Sequence, residues 1–154
     1  MSEHLKTRPL FIYGTLRALP LLAWALTGDA SNTAAVASLA RPGKVYGYAR
    51  FLVRGCDYPG VIQGDRCSSV DGLLLTFETS SQRKKLDDFE GETYRVAPVS
   101  VTLDTGETVE ADMYVWAGER GQLSTEPWEL ASFVNERLQD WLDLFEGMVL
   151  VGED

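Results

Sequence analysis

The sequence predicts a mixed α+β domain in which a mostly antiparallel sheet closes into a small β-barrel with flanking helices. Three observations carry this. Roughly six strand-like runs are interrupted at intervals by helix-compatible runs, the pattern of an α+β chain rather than a repeating βαβ one. The connections in the second half are hairpins, which favour antiparallel pairing and barrel closure. The chain of 154 residues, 45% hydrophobic and 24% charged, fits one domain over residues 1–154 with a sizeable core. No internal repeat, linker or low-complexity segment divides it.

In order, Leu10-Phe11-Ile12 reads as a short buried strand bounded by Pro9 and Gly14. Leu19 to Leu26 is an apolar helix ending near Gly28. Asp29 to Arg41 is rich in Ala, Ser and Thr and ambiguous, with Val36 to Leu39 as a candidate strand. Lys44 to Arg54 carries Val45, Tyr46, Tyr48, Phe51 and Val53, a strand signal with Gly47 as a bulge or close-approach point. Gly55 to Gly60 reads as a loop and Val70 to Phe77 as a strand. Ser80 or Ser81 is suited to cap a helix running through Leu86 and Phe89 to a stop at Gly91. Tyr94 to Leu103 alternates, with Val99, Val101 and Leu103 on one face. Asp104-Thr105-Gly106-Glu107 is a hairpin turn, and Thr108 to Trp116 returns. Pro127 to Phe145 is the longest helix, with Val134, Leu138, Trp141, Leu142 and Phe145 on one face. Met148 to Val151 offers a final strand.

Composition excludes several functions. The net charge of −9 argues against a nucleic-acid backbone or an anionic membrane as partner. No apolar run approaches the roughly 18–20 residues of a membrane span. Met1 to Arg8 is polar, so a cytoplasmic chain is expected. Cys56 and Cys67 have neither a CxxC nor a zinc spacing and are expected as reduced thiols. The single histidine, His4, argues against Ser-His and Cys-His catalysis and His-rich metal sites. Acid–base chemistry then falls mainly to a carboxylate, Lys, Tyr or Cys.

Two stretches could carry it. After the first strand, Tyr13-Gly14-Thr15-Leu16-Arg17 turns at a glycine, where free backbone N–H groups can hold a carboxylate or an oxyanion. Read locally, the same stretch is first of all an ordinary strand-to-loop turn. The second is Leu86-Asp87-Asp88-Phe89-Glu90-Gly91. A carboxylate at a helix C-terminus faces the negative end of the dipole, and Asp87, three residues earlier, adds a like charge. Both disfavour ionised Glu90, and burial by Phe89 and Tyr94 would push its pKa further up, as a general acid/base near neutrality requires. The alternative is that all three acids are solvated. Asp65, beside Gly64, could ligate a metal but has no EF-hand spacing; Lys84 and Lys85 read as surface groups, and Trp128 and Trp141 as core.

Tyr13-Gly14-Thr15-Leu16, Tyr58-Pro59, Leu86-Asp87-Asp88-Phe89-Glu90-Gly91 with Tyr94, and Tyr114-Val115-Trp116 together resemble the gamma-glutamylcyclotransferase-like family. The branch resembled contains gamma-glutamylamine cyclotransferase and the plant avirulence-induced homologues. The resemblance runs from about Leu10 to the long C-terminal helix. It implies a small β-barrel with flanking helices and release of 5-oxoproline from a small-molecule gamma-glutamyl compound. It also implies Glu90 as general acid/base, a substrate site of Tyr13, Gly14, Thr15, Leu16, Tyr58 and Tyr94, and no metal or organic cofactor. The family often places an Arg two residues after the Tyr, where this chain has Val96. Arg95, directly after Tyr94, belongs to the opposite face of a strand and is not carried over. Two rival readings are a non-catalytic binding or regulatory module for a gamma-glutamyl-like or carboxylate metabolite, and a carboxylate hydrolase pairing Glu90 with Asp87 or Asp88.

Overall fold

The computed structural model describes residues 8–90 and 94–152, the side chains of Glu90 and of residues 146–152 excepted. His4 and Gly91 lie outside the described residues. Strand β1 (Leu10–Ile12) runs into a 3₁₀ turn at Thr15–Arg17, then helices α1 (Leu19–Thr27) and α2 (Thr33–Ala37). Strands β2 (Ala40–Tyr46), β3 (Tyr48–Leu52), β4 (Pro59–Gln63) and β5 (Ser69–Leu75) follow. Helix α3 (Ser80–Glu90), the hairpin β6 (Tyr94–Leu103) and β7 (Thr108–Trp116), and helices α4 (Leu130–Glu136) and α5 (Leu138–Gly152) complete the order.

Five strands form a closed barrel in the order β1-β5-β2-β6-β7, while β3 and β4 pair as a separate ribbon. Closure is made by β1. It is antiparallel to β5 through Phe11↔Leu74 and parallel to β7 through Phe11↔Met113. The sheet is thus mixed but mostly antiparallel, as the hairpin pattern predicts.

Alternation along each strand sorts two cores. Phe11, Tyr13, Val70, Leu74, Val99, Val101, Met113 and Val115 pack together among the barrel strands. Leu10, Ile12, Leu75 and Tyr114 turn the other way and meet Leu21, Leu22, Leu86, Phe133 and Leu142 of the helices. The residues of β1 therefore lie between two apolar layers, and all three are buried. Gly72 on β5 admits the crossing of β1. A Cβ there would fall 2.1 Å from the Ile12 carbonyl oxygen and 2.8 Å from the Phe11 ring.

Several sequence expectations are corrected. Val36 to Leu39 is no strand: Thr33–Ala37 is helical, consistent with its alanines, and Val36 is buried. The run from Lys44 to Arg54 is two strands. Gly47 adopts a positive φ of 86° that ordinary residues avoid, sending β2 into the barrel and β3 into the ribbon. The loop starting at Gly55 ends before Pro59, which opens β4 at a position a proline tolerates. The long C-terminal helix is interrupted. Trp128 lies before α4, its indole N–H donating to the Asp57 carbonyl at 2.7 Å. Arg137, at φ −126°, separates α4 from α5. Phe133 rather than Val134 is buried as a result. Met148 to Val151 continues α5 instead of forming a strand. The closed barrel has no edge left to extend, and one internal glycine, Gly147, is tolerated in a helix at a cost of about 1 kcal/mol.

The cap of α3 is Thr79, one residue before the expected serines. Thr79 Oγ1 accepts from the Gln82 N–H at 3.3 Å, and Gln82 Oε1 accepts from the N–H groups of Glu78 at 2.7 Å and Thr79 at 3.3 Å. This is a reciprocal capping box.

Candidate active site

Beyond β1 the chain turns at Gly14. The Arg17 N–H donates to the Gly14 carbonyl and the Ala18 N–H to that of Thr15, both at 3.0 Å. The N–H groups opening such a helical turn have no carbonyl partner within it. Thr15 and Leu16 are buried. Tyr13, Gly14, Thr15 and Leu16, with Ile12, form one side of a cavity whose other walls are Tyr58, Pro59, Tyr94 and Tyr114. All six substrate-site residues expected from the sequence thus line one space. It encloses about 20 Å³, room for a single water.

Each wall is fixed by hydrogen bonds. Tyr13 donates its hydroxyl to the Tyr114 carbonyl at 2.6 Å. Tyr94, at the start of β6, donates to the Pro59 carbonyl at 2.8 Å, and its ring meets those of Tyr114 and Trp116 at 6.3 and 5.7 Å. Asp57 anchors the segment that carries Tyr58. Its carboxylate accepts from Arg137 and from the Trp141 indole, each at 2.9 Å. Gly14 lies in close approach to this segment: a Cβ there would sit 3.0 Å from two atoms of the Pro59 ring.

Charge lies directly behind the turn. Arg50 on β3 donates to the Tyr13 carbonyl at 2.8 Å and to the Asp71 carboxylate at 2.8 Å. Arg17 reaches the same carboxylate at 3.3 Å. Burial pushes the Asp71 pKa up, but the hydrogen bond from Arg50 and the two guanidinium charges prevail and hold it below the usual range. Burial, reinforced by Arg50, lowers the Arg17 pKa. Two cations sharing one carboxylate leave an excess of positive charge beside the turn.

Helix α3 approaches from the β7 side. Tyr114, a cavity wall, donates its hydroxyl to Asp87. Arg83 donates to Asp87 and to Asp112, each at 2.9 Å. Asp87 is therefore engaged by a cation and a hydroxyl, not a bare like charge beside Glu90 as the sequence suggests. Glu90 is the last residue of α3. It falls between Asp87, which holds one cavity wall, and Tyr94, which is another. Its side chain lies outside the described residues.

Arg95 is exposed and pairs with Val115 in an unbroken ladder, so no bulge turns it toward the cavity. Ile12, Pro59 and Tyr114 are wall residues that the sequence reading did not assign. Tyr114 shares the outer face of β7 with Asp112, a period-2 signal, but its link to Asp87 depends on tertiary packing. Cys56 and Cys67 are free thiols. Among the described residues no group of three His, Cys, Asp or Glu is placed to hold a metal ion, and no helix is long and apolar enough to cross a membrane.

A small mixed barrel with helices on its outside and a tyrosine-walled cavity after its first strand defines the class. The chain belongs to the gamma-glutamyl cyclotransferase, AIG2-like family, whose model matches residues 10–132. Its relatives include protein AIG2 C of Arabidopsis thaliana, 24% identical over 149 residues, which cover 96% of this chain and 85% of that one. An Arabidopsis thaliana protein solved in solution shares the fold at a TM-score of 0.61 and 21% identity, over 96% of this chain and 84% of the other. A solved gamma-glutamyl cyclotransferase shares it at a TM-score of 0.53 and 12% identity, over 90% of this chain and 86% of that one.

Proposed function

We propose that this chain is a gamma-glutamyl cyclotransferase in which Glu90 is the general acid/base and the turn from Tyr13 to Leu16 holds the substrate. The observation that carries this is convergence: the Gly14 turn, the Tyr58-Pro59 segment, Tyr94 and Tyr114 share one cavity, and α3 is tied to that cavity through Tyr114 and Asp87. Family membership supplies the reaction class.

The chemistry suits a chain poor in histidine. The α-amine of a gamma-glutamyl compound, once deprotonated, attacks the γ-carbonyl carbon of the same molecule. A ring C–N bond forms, the bond to the leaving amine breaks, and that amine departs with a proton. The products are 5-oxoproline and an amine or amino acid, and no water is consumed. Nucleophile and electrophile are already joined, so alignment gives effective molarities on the order of 10⁵ M or more. Glu90 accepts the ammonium proton and returns one to the leaving nitrogen. The N–H groups of Gly14, Thr15 and Leu16 serve the substrate carboxylate or the oxyanion. A gamma-glutamyl group needs far more than about 20 Å³, because ordinary ligand pockets hold roughly 300 Å³ or more. A substrate held here therefore needs the cavity walls to part.

Glu90→Gln tests the assignment. It is expected to fold with an unchanged melting temperature and to lose 5-oxoproline release by about 10²- to 10⁴-fold, followed by mass spectrometry over a panel of gamma-glutamyl amino acids and amines. Full turnover in this variant removes Glu90 from the mechanism.

A further inference from the structure

Two strand residues meet two helix residues on the outer side of the barrel. Asp112 and Tyr114 are two apart on β7 and share its outer face, a separation of about 6.7 Å along a strand. Arg83 and Asp87 are four apart on α3, about 6 Å along a helix. The two spacings match. Arg83 bridges Asp112 and Asp87 at 2.9 Å to each, and Tyr114 donates its hydroxyl to Asp87. Arg83 and Asp112 are only 13% and 15% exposed. Arg8 closes the far end, donating to Asp112 at 2.8 Å. This ladder fixes both the height and the rotation of α3 against β7.

We infer that Asp87 is a positioning residue for the reaction: through Tyr114 and Arg83 it locks the last turn of α3, and so Glu90, in register with the cavity wall. The assignment rests on the cyclotransferase reading above. Asp87 touches no reacting atom. It acts by holding a wall residue and the helix end with the same carboxylate, and the bridge from Arg83 keeps that carboxylate in place. Misplacement of a catalytic group by about 1 Å can cost about a hundredfold, so loosening this register should appear in kcat.

The test compares Asp87→Asn, Asp87→Glu, Tyr114→Phe and the double variant Asp87→Asn/Tyr114→Phe. Val36→Ala, a core truncation in α2, calibrates a loss of stability alone. Asp87→Asn and Tyr114→Phe are each expected to lower kcat about 10- to 100-fold with KM changed less than threefold. The double variant should fall no further than the worse single one, because both remove the same link. Asp87→Glu should regain part of the loss. Val36→Ala should lower the melting temperature and leave kcat within twofold. If Asp87→Asn does not fold, Asp87→Glu decides by a lowered kcat at unchanged KM, since it keeps the charge and the Arg83 pair. Unchanged kcat in these variants, additive losses, or an equal kcat loss in Val36→Ala overturns the positioning role while leaving the cyclotransferase reading intact. A wild-type chain that releases 5-oxoproline from none of the panel overturns that reading, and this assignment with it.

Discussion

Gly14 illustrates how the surroundings of a residue bear on its choice. A Cβ there would sit 3.0 Å from two atoms of the Pro59 ring, so the ring would have to give by a few tenths of an ångström. Gly14→Ala is expected to cost about 1–3 kcal/mol and to weaken substrate affinity, measured as a lowered urea midpoint and a raised KM. Gly72 is the harsher case, because a Cβ would overlap the backbone of β1. Gly72→Ala should leave little folded protein, seen as lost near-ultraviolet dichroism. A well-folded Gly72→Ala would mean that β1 does not cross β5 so closely. The sequence exposes both glycines but not their neighbours, since Pro59 and Ile12 are brought in by tertiary contact. The same holds for the tyrosines: their positions were legible, while the hydrogen bonds from Tyr13 to Tyr114 and from Tyr114 to Asp87 were not.

Among the elements, those with local instructions were legible and those set by long-range packing were not. The limits of the β6–β7 hairpin follow from alternation and the Asp104–Glu107 turn. Helix α1 ends where Gly28 takes a φ of 78°. Periodicity could not locate the break at Arg137, because apolar spacing continues through it and the reason lies in Asp57, which draws Arg137 and Trp141 to one carboxylate. The start of α3 was misplaced by one residue, since Thr79, Ser80 and Ser81 all suit a cap and only Gln82 selects among them. Thr79→Ala should destabilise the protein by about 1 kcal/mol, read from chemical denaturation. An unchanged midpoint would show that the capping box contributes nothing.

At the scale of the whole molecule, three partly buried aspartates among the described residues couple stability to acid. Asp57, Asp71 and Asp112 are each pushed up by burial, yet end below the usual carboxylate pKa. Hydrogen bonds from Trp141 and Arg137, from Arg50, and from Arg8 and Arg83, together with arginine charges, outweigh that burial. In the unfolded chain they titrate near 4. Below that value the unfolded state binds protons that the native state still refuses, so native stability falls as pH falls. Their contribution is complete above about pH 5 and is lost as the pH drops through the lower native values. Denaturation midpoints should decline below about pH 4, and Asp112→Asn should flatten that decline. A midpoint that rises on acidification would contradict the assignment of these three groups.

The barrel also dictates when a cleft can exist. Leu10 must find Asp112, and the Asp112 N–H donates to the Pro9 carbonyl at 2.9 Å, so the opening strand waits for a partner about a hundred positions downstream. Contacts of such separation are slow to form. On the ribosome, the turn after that strand therefore stays open on one side until the second arm of the last hairpin has emerged. A shorter nascent piece lacks the Tyr114 wall of that cavity, so the space is complete only once its seam shuts.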